Sequence, residues 1–101
     1  MSKVFVEYTI KPEFREPFLI YMQQWQCREG RLELLEGTDQ KGLYVEIWNS
    51  VSYEEYTHLK QVRLQGKQGD LQPDWEAWVE GGLRKLHMWH FAAVSSSKKG
   101  L

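Results

Sequence analysis

A chain of 101 residues with 42% hydrophobic side chains has the length and apolar content of one globular domain, and at this size association with another molecule helps to cover its core. Its 13 basic and 14 acidic residues leave a net charge of −1, which excludes the broad positive field by which proteins hold nucleic acid or an anionic membrane. The single cysteine, Cys27, excludes an intrachain disulfide and a multi-cysteine metal site, while an aromatic content of 14% demands an explanation in packing or in a site.

Lys3 to Ile10 alternates as a strand does, with Val4, Val6, Tyr8 and Ile10 on one side and Phe5, Glu7 and Thr9 on the other. Pro12 ends it. Phe14, Phe18, Met22 and Trp25 then recur at helical spacing beside Leu19, with Pro17 near the start and Gly30 as the expected stop. Arg31 to Glu36 reads as a second strand, in which Leu32 and Leu34 alternate with Glu33 and Leu35. The turn-forming run Gly37 to Gly42 leads into a third strand, Leu43 to Trp48, so the two form a hairpin. In that strand Leu43, Val45 and Ile47 oppose Tyr44, Glu46 and Trp48.

Ser52 and Glu55 have the spacing of a capping box and open a second helix, whose buried face is expected at Tyr56, Leu59 and Val62, with Tyr53 at one end. Gln65 to Pro73 reads as a loop. A short helical segment, Asp74 to Glu80, carries Trp75, Trp78 and Val79 and stops at Gly81-Gly82. The last strand, Leu86 to Val94, points Leu86, Met88, His90 and Ala92 one way and His87, Trp89, Phe91 and Ala93 the other. The expected domain is therefore 1–94, with 95–101 as a flexible tail. The start of the chain has no signal-peptide core and no apolar run is long enough to span a bilayer, so the expected setting is cytoplasmic.

The order β-α-β-β-α-(short α)-β is the ferredoxin-like split β-α-β pattern of an α+β domain, a four-stranded antiparallel sheet with its helices on one face. The aliphatic set Val4, Val6, Leu32, Leu34, Val45, Ile47 and Met88 is expected under the helices. The other face is then assigned Phe5, Leu35, Tyr44, Trp48, Trp89 and Phe91. A face so aromatic is larger than a monomer usually exposes, and the chain has no spare helix to cover it. A second copy, packed through a two-fold contact, is the expected partner.

The stretch Val45-Glu46-Ile47-Trp48-Asn49-Ser50, leading into Tyr53-Glu54-Glu55-Tyr56-Thr57-His58, is a strand ending in an aromatic, a short polar turn and a helix bearing a histidine. In this it resembles the dimeric α+β barrel superfamily, and within it the antibiotic-biosynthesis-monooxygenase-like and NIPSNAP-like domains, from about Lys3 to Val94. The resemblance implies a homodimer whose first and third strands are central neighbours, with the fourth bordering the first. Glu7, Glu46 and His87 would then line one cavity walled by Phe5, Tyr44, Trp48, Trp89 and Phe91. Such a cavity suits a small apolar or aromatic ligand, and a desolvated glutamate there can accept a proton. The alternative is that these charges sit at the rim of the sheet and reach water.

His58 matches the histidine found early in the second helix of the monooxygenase-like members, but Arg63 stands where many of them carry a second one. The heme-degrading relatives' pattern fails at three places: Glu7 in the first strand, Tyr53 and Tyr56 in the second helix, and Gly66 beyond it. No cofactor is expected. His87 and His90 face opposite sides of a strand and cannot chelate one ion together, so no metal site is expected either. Two readings remain open: a small-ligand-binding or assembly domain without a nameable activity, and a cofactor-independent monooxygenase-like enzyme using Glu and His for proton transfer.

Overall fold

The computed structural model describes residues 2–65 and 73–94. Strand β1 (Ser2–Thr9) is followed by a 3-10 turn at Pro12–Phe14, helix α1 (Arg15–Arg28), strands β2 (Leu32–Glu36) and β3 (Leu43–Asn49), and helix α2 (Tyr53–Leu64). A four-residue helix, α3 (Trp75–Trp78), a 3-10 turn at Leu83–Lys85 and strand β4 (His87–Ala92) complete it. The four strands form one antiparallel sheet in the order β2-β3-β1-β4, which is the order of a split β-α-β, ferredoxin-like arrangement. The loop expected at Gln65 to Pro73 and the tail expected at 95–101 lie almost wholly outside the described residues.

The three described helices lie against one sheet face. Phe18 and Met22 of α1 are fully buried, and the Phe18 ring stands 4.6 Å from that of Tyr44 and 5.7 Å from that of Tyr8. Trp75 of α3 joins the same cluster, 5.5 Å from Tyr8 and 6.0 Å from Phe18. The Tyr56 hydroxyl of α2 donates to the Met88 carbonyl at 3.3 Å and ties that helix to β4. Ser52 and Glu55 form the expected capping box: Glu55 N–H donates to Ser52 Oγ at 3.1 Å, and Ser52 N–H donates to Glu55 Oε1 at 3.2 Å. Asp74 caps α3 by accepting from Ala77 N–H at 3.2 Å. Gly81 and Gly82 both take positive φ, and a Cβ on Gly82 would strike the Glu76 carboxylate at 2.4 Å.

Three expectations are corrected. Strand β3 is turned over: Val4 pairs with Trp48, Val6 with Glu46 and Tyr8 with Tyr44, so Tyr44, Glu46 and Trp48 lie under the helices while Val45 and Ile47 face away. The phase was open to error because β3 is largely apolar on both sides, and a preference for aliphatic residues in the core selected the wrong one. Helix α2 buries Tyr56 and packs Leu59 on the core as expected, but the next buried position is Arg63 in place of Val62, which is 43% exposed. Helix α1 ends without a left-handed glycine: Glu29 takes extended backbone and its N–H donates to the Trp25 carbonyl at 2.8 Å.

Candidate functional site

The registers of the three strand pairs arrange the face away from the helices into rows. The first holds Asn49, Lys3 and Phe91, and the second Glu33, Ile47, Phe5 and Trp89. The third holds Leu35, Val45, Glu7 and His87. No described helix or loop covers these rows, and Leu35, Trp89 and Phe91 are 51%, 42% and 54% exposed. The Phe5 and Phe91 rings meet edge to face at 5.3 Å, and His87 stacks on Trp89 at 5.9 Å. Phe5, Glu7, Val45, Trp89 and Phe91 line a depression of about 330 Å³.

Polar groups bound this apolar band at both ends. At one end the Lys3 ammonium donates to Asn49 Oδ1, and the Asn49 amide donates to Glu33 Oε2 at 2.7 Å. At the other end Glu7 stands directly opposite His87 across β1 and β4. Both line a second hollow of about 490 Å³ with Thr9, Gln40, Glu80 and Lys85. Glu7 borders both hollows and, among the described residues, is the one carboxylate that touches the apolar depression.

Glu46 does not join them. It points to the other side of the sheet and is completely buried. Arg63 reaches it from α2 with a two-pronged contact, 3.0 Å to Oε2 and 3.1 Å to Oε1. Trp48 Nε1–H donates to Oε1 at 2.9 Å, and the Tyr8 hydroxyl donates to Oε2. The guanidinium lies 4.6 Å from the Trp75 ring and 5.4 Å from the Trp25 ring. Burial works against the Arg63 charge, but the Glu46 carboxylate more than offsets it and holds the guanidinium above its ordinary range. Burial, and then the adjacent Glu46 charge, push the Tyr8 hydroxyl well above its ordinary value, so it stays a donor. With four donors on two oxygens the carboxylate is saturated, and the set suits packing of α2 on the sheet better than proton transfer.

The expected cavity of Glu7, Glu46 and His87, walled by Tyr44 and Trp48, is therefore corrected. The period of two in β3 sends Glu46, Tyr44 and Trp48 to the helix side, while Glu7, His87, Phe5, Trp89 and Phe91 share the open face. Glu7 and His87 cannot share an ion with Glu46 for the same reason, and among the described residues no group of three His, Cys, Asp or Glu side chains gathers. His58 stands apart from both groups. It borders a hollow of about 450 Å³ between the end of α1 and the start of α2, with Trp25, Trp48 and Leu59. Arg31 fastens the rim there, meeting Glu29 at 3.1 Å and Glu55 at 3.3 Å, and its hydrogen bonds hold the Glu29 carboxyl below its usual value. His90 is half-buried on the helix side and donates from Nε2 to the Val51 carbonyl at 2.9 Å.

The comparisons add no relative: no protein-family model, curated protein or solved structure matches the chain. Among the described residues no helix is long and apolar enough to cross a membrane. Sequence reasoning missed Arg63 as the partner of Glu46, and Lys3 and Asn49 as the polar border of the open face. The first had a signal in a charged strand residue between two aromatics, which needs a counter-charge if that side is buried. The second follows from the alternation of β1 alone, which puts Lys3 beside Phe5 and Glu7.

Proposed function

We propose that the chain is a dimeric α+β barrel domain, akin to the antibiotic-biosynthesis-monooxygenase-like and NIPSNAP-like domains, that pairs with a second copy through its open sheet face. It holds a small apolar or aromatic molecule against that face and has no nameable catalytic activity. The observation that carries this is the composition of the open face: an apolar band of Phe5, Val45, Ile47, Trp89 and Phe91 with polar residues at both ends. That is the layout of a protein interface, an apolar centre inside a polar rim. A cytoplasmic setting is part of the reading, and an exposed free Cys27 suits a reducing compartment.

A second reading keeps an enzymatic role, on one observation: Glu7 and His87 stand opposite each other beside the apolar depression. There Glu7 would accept a proton from an aromatic substrate and His87 would relay it, and the carbanion so formed would reduce dioxygen, one oxygen atom entering the product and the other leaving as water, in a cofactor-independent monooxygenase-like reaction. The loss of Glu46 from this set and its distance in the fold from His58 favour the binding role.

Native mass spectrometry with sedimentation velocity tests the proposal. A two-chain species, carrying extra mass of a small molecule when purified gently, is expected. A single chain at several hundred micromolar, with no adduct, overturns it.

A further inference from the structure

We infer that the two copies pair with their strands reversed, so that Lys3 of each copy meets Glu7 of the other. This rests on the sheet-to-sheet pairing proposed above and fixes its geometry. Glu7 sits toward the end of the central strand β1, half-buried at the edge of the apolar band, and among the described residues no ion pair engages it. A covering sheet strips water from this carboxylate, and an unpaired charge in that position is strongly unfavourable. His87 and Lys85 of the same chain border the hollow beside it without an ion pair to it, and a cation brought by the cover would stabilise it directly.

Sheets that pack face to face keep their strands nearly aligned, and a two-fold axis in the contact plane can then run along the strands or across them. An axis along the strands lays β1 over the partner's β3 at the same level. Glu7 then meets Val45, the residue that shares its row, and has no counter-charge. An axis across the strands, through the row of Phe5, Ile47 and Trp89, lays β1 on the partner's β1 in reverse. Lys3 lies two residues before Phe5 and Glu7 two residues after it, so each lysine comes over a glutamate. The Lys3 ammonium spends one of its three donors on Asn49 Oδ1 and keeps two for the carboxylate. In the same arrangement Phe5 meets Phe5 and Trp89 meets Trp89 at the centre, while His87 comes over the partner's Phe91. Of these two placements the crossed axis pairs Lys3 with Glu7 and keeps the aromatic row intact; it also sets Glu33 over its own copy at the outer strand β2, where the exposed carboxylate keeps its water and accepts from the Asn49 amide at 2.7 Å.

The test is a charge exchange. Lys3→Glu and Glu7→Lys each place like charges at both contacts of their own homodimer, and each is expected to weaken self-association at least about tenfold. Mixed together they restore attraction at both contacts, so native mass spectrometry of the mixture is expected to show the mixed dimer well above the statistical half. Lys3→Gln and Glu7→Gln guard against misfolding of the reversals: the double variant is expected to dimerise better than either single one. Dimers of both reversals as tight as wild type, with statistical mixing, overturn the alignment and leave sheet pairing standing. A wild-type chain that never dimerises overturns the pairing itself.

Discussion

The two central strands each carry a glutamate, one on each face of the sheet, and their surroundings are opposite. Glu46 on the helix side receives two guanidinium nitrogens, an indole N–H and a phenol from its own chain. Glu7 on the open side has apolar neighbours and a histidine, with no described ion-pair partner. A buried carboxylate is tolerated only when its lone pairs are filled and its charge is countered. The chain meets that condition by itself on one face and leaves it unmet on the other. The helix side is a finished core, and the open side is the face proposed to take a second copy.

The comparison breaks most visibly at Arg63. Arg63→Met removes the cation that pairs with a fully buried carboxylate, and the expected loss of stability is about 3–5 kcal/mol, read from urea unfolding. Combining it with Glu46→Leu is expected to return much of that loss, because both charges then leave together. If Arg63→Met alone costs under about 1 kcal/mol, the helix side is wetter than its geometry says.

On the open side the largest expected effect falls on assembly. Trp89 lies beside Phe5 at the centre of the exposed rows, and its truncation to alanine is expected to weaken the proposed dimer by about 2 kcal/mol or more. Because the ring is 42% exposed in the single chain, the stability of that chain is expected to change little. Sedimentation equilibrium with matched thermal melts separates the two quantities. An unchanged dimer would remove the aromatic row from the interface.

Much of this was readable in advance, for reasons that differ by residue. The alternation of β1 was clear because Glu7 and Thr9 mark its open side while Val4, Val6 and Tyr8 mark the core. The capping box and the order of elements come from local chemistry that tertiary packing rarely overrides. The phase of β3 was hidden because Val45 and Ile47 look like core and Glu46 does not. A contact 17 residues away, from Arg63, reverses that inference, and the strand itself hints at it only through a charge set between two aromatics. Arg63 was read as the absence of a histidine and is in fact the group that admits Glu46 to the interior. The aromatic open face was anticipated in kind, with Tyr44 and Trp48 wrongly counted into it.

Tyr8→Phe sharpens the comparison from the helix side. It removes one of four donors to Glu46 while preserving the ring that packs on Phe18 and Trp75, so a loss of about 1–2 kcal/mol is expected at neutral pH. It also carries a pH signature. Burial raises the Tyr8 hydroxyl in the folded chain above its unfolded value near 10. A group raised in this way gives its full stabilisation below the unfolded value and loses it as pH climbs toward the folded one. Wild-type stability is therefore expected to start falling above about pH 10 as the unfolded chain releases the phenol proton. Tyr21 and Tyr44, raised mainly by burial as well, contribute to the same fall. The phenylalanine variant keeps those two and is expected to fall less steeply, which melting curves between pH 8 and 11 would show.

The smallest expected effect belongs to Glu7→Gln, and it is the most direct comparison of the two faces. In dilute protein, below the concentration at which chains pair, the change removes a charge that no described ion pair uses, so stability is expected to move by less than about 0.5 kcal/mol. The same exchange at Glu46 takes the charge away from Arg63 inside the core and belongs with the large effects. Urea unfolding of the two variants side by side measures the difference. Equal losses at both positions would mean that Glu7 is already engaged within its own chain. The open face would then have no carboxylate waiting for a second molecule, and the reason for expecting a cationic contact there would be gone.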